Sequence, residues 1–290
     1  YEQIEEAAEI FRQSRGMGFT TLYMPQHFIA YPTIWPQPMQ VLSRLAPDTD
    51  GLRLMTGILL LTYHNPVDIA EQTATLDQIS NGRFTLGVGL GYVEKELEAF
   101  GTNRAERVSR LEESIALMKE LWTGEEVNHE GRHWTVRGGR LGITPVQKPH
   151  PPIWLAAQSR GAVRRAAAIA DACLLGPQPN WEDLDQLSTL YWEALAAQPG
   201  RCHRRRGHRQ GQRRRPRGPH WVAAIVAKGR IRRVQHALPD LDKPDGALEV
   251  TPRVLVEGAR AHSHRRVALD GGVQVESVVD RDHVGGHFRI

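Results

Sequence analysis

Apolar residues recur at helical spacing from about Gln3 to Arg15, where Ile4, Ala7, Ala8 and Phe11 share one face, and Gly16 and Gly18 follow where the pattern stops. The short run FTTLYM at 19–24 predicts a strand. Beyond the loop QHFIAYPTIWPQP, a helix is predicted over Met39 to Leu45, and LRLMTGILLL at 52–61 predicts a second strand. This strand is apolar on both faces, which fits a parallel sheet covered by helices. Pro66 suits the first turn of the next helix, which reaches about Ile79 with Ile69, Thr73, Leu76 and Ile79 inward. Asn81-Gly82 closes it, and the strand RFTLGV begins.

A long amphipathic helix is predicted from Arg104 to Trp122, with Val108, Leu111, Ile115, Met118 and Trp122 inward. The tract VNHEGRHWTVRG reads as a small hairpin outside the main rhythm. Then PPIWLAA is a strand, Gly161 to Ala170 a helix, ACLL a strand and Asp183 to Ala197 a helix. Strands alternating with helices are the pattern of parallel βα units, so an α/β fold is expected.

Glycines at 87, 89 and 91 follow the third strand in NGRFTLGVGLGY. A dinucleotide fingerprint needs G-x-G-x-x-G after the first strand of its unit and an acid about 20 residues on. Here the spacing is G-x-G-x-G, two strands precede it, and the residues about 20 farther on lie inside the amphipathic helix. A P-loop is excluded because no Gly-Lys-Ser/Thr follows. Two readings of the glycines stay open. They relieve crowding where a strand turns into its loop, or they let a flat ring lie against backbone at the mouth of a barrel.

Composition changes the picture in one place. Of the 37 Lys+Arg and 33 Asp+Glu, residues 1–200 hold 17 and 24, and residues 201–290 hold 20 and 9, so the excess of positive charge belongs to the tail. Residues 201–220 contain nine Arg, three His and no acid, and the βα rhythm stops there. Three readings compete for this segment: a nucleic-acid arm, a disordered solubilising tail, and the downstream frame of a GC-rich gene read out of phase. The mixture of Arg, Gly, Ala, Pro and His favours the last, and 201–220 lacks the interleaved aromatics of a nucleic-acid binder. Cys173 and Cys202 match no disulfide or metal spacing, and Cys173 in ADACLL reads as a buried small hydrophobe. No metal site is expected. With no apolar run of about 18 residues and no basic-then-apolar leader, a cytoplasmic location is expected.

The runs HNPVDIAEQTATLDQISNGRFTLGVGLGYVEKELEAFG, ERVSRLEESIALMKELWTGEEV and PPIWLAAQSRGAVRRAAAIADACLL together resemble the luciferase-like monooxygenase superfamily over about Tyr1 to Ala197. The resemblance implies a (β/α)8 TIM barrel and a flavin- or deazaflavin-dependent oxidoreductase, using reduced FMN with oxygen on a small-molecule substrate or coenzyme F-420 for hydride transfer. It implies a homodimer. It puts His27, in PQHF, beside the reactive ring, with Gln26 where one branch has a second histidine. It puts a non-proline cis peptide at Gly57-Ile58, and a phosphate seat at Gln158 and Ser159, whose plainer role is an N-cap for the following helix. Gly89 and Leu90 fall where the bacterial luciferase branch has a cysteine and a phosphate-binding arginine, which Leu90 cannot replace. His64, in YHNP, lines the ring edge or is a polar residue near Pro66.

The barrel expected from this text is partial over 1–200, with the first strand of the family absent and the later units not legible, followed by the basic tail over 201–290. Such a barrel predicts low stability or activity, since open sheet edges leave backbone groups unpaired. The rival function is a non-enzymatic barrel fragment whose basic tail binds nucleic acid.

Overall fold

The computed structural model describes residues 2–14, 20–49, 51–176 and 181–198, and three short strands at 222–226, 254–257 and 275–278. In chain order the elements are α1 (Glu2–Ser14), β1 (Thr21–Met24), α2 (Pro38–Leu45), β2 (Arg53–Thr56), β3 (Leu59–Leu60), α3 (Pro66–Ile79), β4 (Phe84–Gly89), α4 (Glu94–Ala99) and α5 (Arg107–Leu121). There follow β5 (Val127–Glu130), β6 (Thr135–Gly139), β7 (Ile153–Ala157), α6 (Arg160–Ile169), β8 (Ala172–Leu175), α7 (Trp181–Ala196), β9 (Val222–Val226), β10 (Val254–Glu257) and β11 (Val275–Val278).

Five strands, β1, β2, β4, β7 and β8, run parallel in that order, with Leu22 beside Leu54, Leu54 beside Phe84, Leu86 beside Ile153 and Trp154 beside Ala172. This is the arc of an incomplete TIM barrel. Strand β9 continues it parallel to β8, but β11 pairs antiparallel with β9, and β10 lies antiparallel beside β1. The ring thus closes through two antiparallel seams, whereas a regular (β/α)8 barrel is parallel throughout. The expectations for the basic segment at 201–220, Cys202 included, fall outside the described residues.

Alternation along the strands builds two layers. Leu22, Leu54, Phe84, Leu86, Ile153, Leu155 and Cys173 point out into the core under the helices. Tyr23, Met55, Trp154, Ala172 and Leu174 form a separate inner cluster. Trp122 of the α5 end is fully buried and donates its Nε1–H to the Ala70 carbonyl of α3 at 3.0 Å, fixing the two helices together. Arg83, just before β4, donates to the carbonyls of Ala46, Thr49, Leu52 and Ser80, so one guanidinium satisfies a loop that no ladder reaches.

Two expectations need correction. The run 52–61 is not one strand: it divides at Gly57-Ile58, so β2 pairs with β1 and β4 while β3 reaches only the end of β4. Ile79, expected inward, is 50% exposed. Ile69, Thr73 and Leu76 are buried as expected, and the buried face extends to Ala70, Ala74 and Asp77, whose carboxylate accepts from the backbone and side-chain N–H of Gln147 at 2.9 and 2.7 Å. The hairpin at 127–138 appears as β5 and β6, a separate two-stranded sheet. Glu113 of α5 anchors it by accepting from the backbone N–H of His133 and Trp134.

Candidate active site at the C-terminal mouth

The parallel strands all end on one face, where βα barrels present their chemistry. His27 follows β1, the pair Gly57-Ile58 follows β2, Leu90 and Gly91 follow β4, and Gln158 and Ser159 follow β7. His27 is half-buried, edge-on to Trp35 at 5.1 Å and to Tyr92 at 5.9 Å between ring centres. Its Nδ1 lies 3.0 Å from Oε1 of Glu96, and the next residue's backbone N–H, that of Phe28, donates to the same oxygen at 3.0 Å. Glu96 belongs to α4 and is 1% exposed.

The second Glu96 oxygen and the Tyr63 hydroxyl are both buried without a hydrogen bond of acceptable geometry. They are near enough to feel each other: burial first, then the Glu96 carboxylate, raise the Tyr63 phenol so that it stays protonated throughout the neutral range. Gly91, at φ +70°, brings the chain across Tyr63 where a side chain would run into the hydroxyl.

Gln26 is 3% exposed. It donates to Gln37 Oε1 at 2.7 Å and accepts from the Leu60 backbone N–H at 2.8 Å. His64 Nε2 lies 3.2 Å from the same Gln26 oxygen, with the ring tilted against Phe28 and Phe100. Burial holds the His64 imidazole below its ordinary value, with Asp68 opposing, which favours a neutral ring donating Nε2–H to Gln26. Gln26 is thus a tether between the β1 loop and the segment after β3.

The Gly57-Ile58 peptide is cis. Its approach to β4 accounts for two of the glycines. A methyl on Gly87 would collide with the Thr56 carbonyl, whose own side-chain hydroxyl donates to the Gly87 carbonyl at 2.7 Å. A methyl on Gly89 would collide with Ile58 Cδ1. What these glycines admit is the neighbouring chain: the volume that a side chain would take at 87 and 89 is held by Thr56 and Ile58.

Ser159 is the N-cap of α6, its hydroxyl accepting from the Ala162 N–H at 3.3 Å. Gln158, Ser159 and Arg160 are exposed, and open space surrounds the point where a side chain of Gly161 would stand. Leu90 packs against the core, and its carbonyl accepts from Thr62 Oγ1 at 2.7 Å. Cys173 is fully buried, and burial pushes its thiol up to about 12.

The residues nearest His27 were not visible in the sequence. Glu96 sits in EKELEA, which reads as a solvated helical turn, and Trp35 and Tyr92 lie in loops without periodicity. The one available signal is Leu97-Phe100, an apolar pair at i, i+3 that turns this short helix toward the barrel. Among the described residues no group of three or more His, Cys, Asp or Glu is arranged to hold a metal ion, and no helix is long and apolar enough to cross a membrane.

This mouth, on an arc of parallel strands, is that of an α/β-barrel fold. The family model for luciferase-like monooxygenase matches residues 1–206, and the chain belongs to that family. It is 32% identical over 160 residues to the oxygenase component of a flavin-dependent trigonelline monooxygenase from Acinetobacter baylyi, covering 54% of this chain and 43% of that protein. An uncharacterized protein of Mycobacterium tuberculosis is 30% identical over 206 residues, covering 64% of this chain and 72% of that protein. The chain spans less than half the length of the first curated relatives it matches.

Among solved structures, the monooxygenase RslO1 from Streptomyces bottropensis superposes with a TM-score of 0.63 at 28% identity, over 67% of this chain and 60% of that one. The oxygenating constituent of 3,6-diketocamphane monooxygenase from Pseudomonas putida, solved with FMN, gives 0.60 at 21% identity, over 67% and 57%. The coenzyme F420-dependent tetrahydromethanopterin reductase from Methanopyrus kandleri gives 0.56 at 21%, over 67% and 58%. The last two likenesses are of fold.

Proposed function

We propose that this chain forms the cofactor-binding part of a flavin-dependent monooxygenase acting on a small organic molecule with reduced FMN and oxygen. The observation that supports it most is the grouping of His27, with its buried carboxylate partner, and the Gly57-Ile58 turn on the same mouth as an exposed helix N-terminus. The residues present suit a flat, phosphate-bearing cofactor. Ile58, seated in the gap left by Gly89, offers an apolar surface for a ring, and the Ser159 cap with the open N–H groups of α6 offers an anion seat. When bound, the cofactor supplies the redox chemistry. The protein binds and orients it, shields it with Trp35 and Tyr92, and holds or moves a proton at His27.

A second reading replaces FMN and oxygen by coenzyme F-420 and hydride transfer. Leu90 supports it, since an apolar side chain stands where the bacterial luciferase branch keeps its phosphate-binding arginine. A homodimer belongs to both readings by family resemblance.

Titration of the purified chain with FMN and with F-420, followed by absorbance and fluorescence, tests the reading and separates the two cofactors. Saturable binding of one, weakened by Ser159→Ala, is expected, and binding of neither refutes the proposal. For the basic tail, the out-of-phase frame remains the preferred reading, and the nucleotide sequence across codons 195–205 tests it.

A further inference from the structure

We infer that Glu96 is a positioning residue for His27: its carboxylate holds the Nδ1–H of the neutral imidazole and leaves Nε2 as the unprotonated nitrogen, able to accept a proton. The inference rests on the reading of His27 as the site's proton-handling residue, and it sharpens that role to proton acceptance at Nε2.

The geometry is specific. Two donors from successive residues of the β1 loop, the His27 ring and the Phe28 backbone N–H, converge on one oxygen of Glu96, each at 3.0 Å. The backbone N–H can only donate. If Nδ1 lacked its proton, two lone pairs would face each other 3.0 Å apart against a carboxylate that is 1% exposed, an arrangement that leaves a buried acceptor unsatisfied. Accepting from both donors, the Glu96 side chain selects the Nδ1–H tautomer, as an orienting carboxylate does for a working histidine elsewhere. Nε2 makes no hydrogen bond among the described residues.

Tyr92 meets the His27 ring edge-on, and the charged groups named next are engaged elsewhere. Glu94 pairs with Arg104, Lys95 donates to the Ile29 carbonyl, Arg107 donates to the Gly91 carbonyl, and His64 binds Gln26. The Tyr63 phenol, protonated beside Glu96, adds no charge.

The test uses the whole chain with 15N-labelled histidine and long-range 1H–15N correlation, without any cofactor. The expected spectrum shows neutral His27 protonated on Nδ1. In Glu96→Gln the amide oxygen still accepts, so the tautomer persists. Neutral His27 protonated on Nε2 in the wild type overturns the inference, even if the variant fails to fold. A folded Glu96→Gln whose neutral His27 is protonated on Nε2 overturns it as well. In turnover, Glu96→Gln is expected to lower kcat about 10- to 100-fold with cofactor affinity within about twofold, in line with lost outer-sphere support. A wild type that binds no cofactor counts against the function proposed above, and the tautomer still decides this inference.

Discussion

Gly87→Ala tests whether the glycines of β4 exist to receive the neighbouring chain. The new methyl would fall inside the van der Waals envelope of the Thr56 carbonyl oxygen, with Thr56 C at 3.2 Å and Met55 Cε at 3.0 Å. Met55 can yield, since its side chain is flexible. The carbonyl cannot move alone, because Thr56 is paired in β2 beside Met24 and its hydroxyl is bonded to the Gly87 carbonyl. Overpacking of this kind costs about 1–3 kcal/mol, and loss of the Thr56 hydrogen bond adds about 1 kcal/mol. The stiffer unfolded chain offsets about 0.4–1 kcal/mol, leaving a net loss of about 1–3.6 kcal/mol. For a domain of this size that is a fall in melting temperature of about 2–14 °C. Gly142→Ala is the control: no atom lies within 4 Å of its added carbon, and a change within about 0.5 kcal/mol is expected. Both variants are compared with the wild type by thermal melting in circular dichroism. Equal melting temperatures for Gly87→Ala and Gly142→Ala would sink the packing account and return the ladder to a role toward a ligand.

Two pH effects follow from groups away from His27. Burial alone would raise Glu113, but the backbone N–H groups of His133 and Trp134, with His129, outweigh it and hold the carboxyl below its ordinary 4.5. A depressed carboxyl stabilises the fold above its unfolded value and loses that contribution as pH falls through the folded one. Urea unfolding of the wild type should therefore weaken below about pH 4.5, and Glu113→Gln should be less stable at pH 7 with a flatter acid limb; parallel curves for the two proteins would contradict this. His64 is held low by burial, so below its ordinary 6.5 the unfolded chain binds the proton more readily than the folded one. Stability should then fall as pH drops from 7.5 to 5, and less steeply in His64→Gln. An equal slope in both would place the loss elsewhere.

The α/β alternation was legible in the sequence, because the helices carry a 3.6-residue apolar period while the doubly apolar strands are short runs bounded by turn residues. The family resemblance added His27, the cis peptide and the Ser159 helix start, since those sit in runs where several collinear blocks agree. Local pattern could not supply the partners. Glu96 is one acid among several in EKELEA, and only the packing of α4 over the mouth makes it the buried carboxylate beside His27. Gln26 and Asp77 are ordinary polar letters that become interior anchors once their amide and carboxylate meet backbone donors from other elements. The glycines at 87 and 89 show the same limit. Their spacing advertised a close approach, but whether that approach came from a ligand or from Thr56 and Ile58 depended on where a neighbouring strand ends, and strand pairing is a long-range outcome that no stretch of sequence contains.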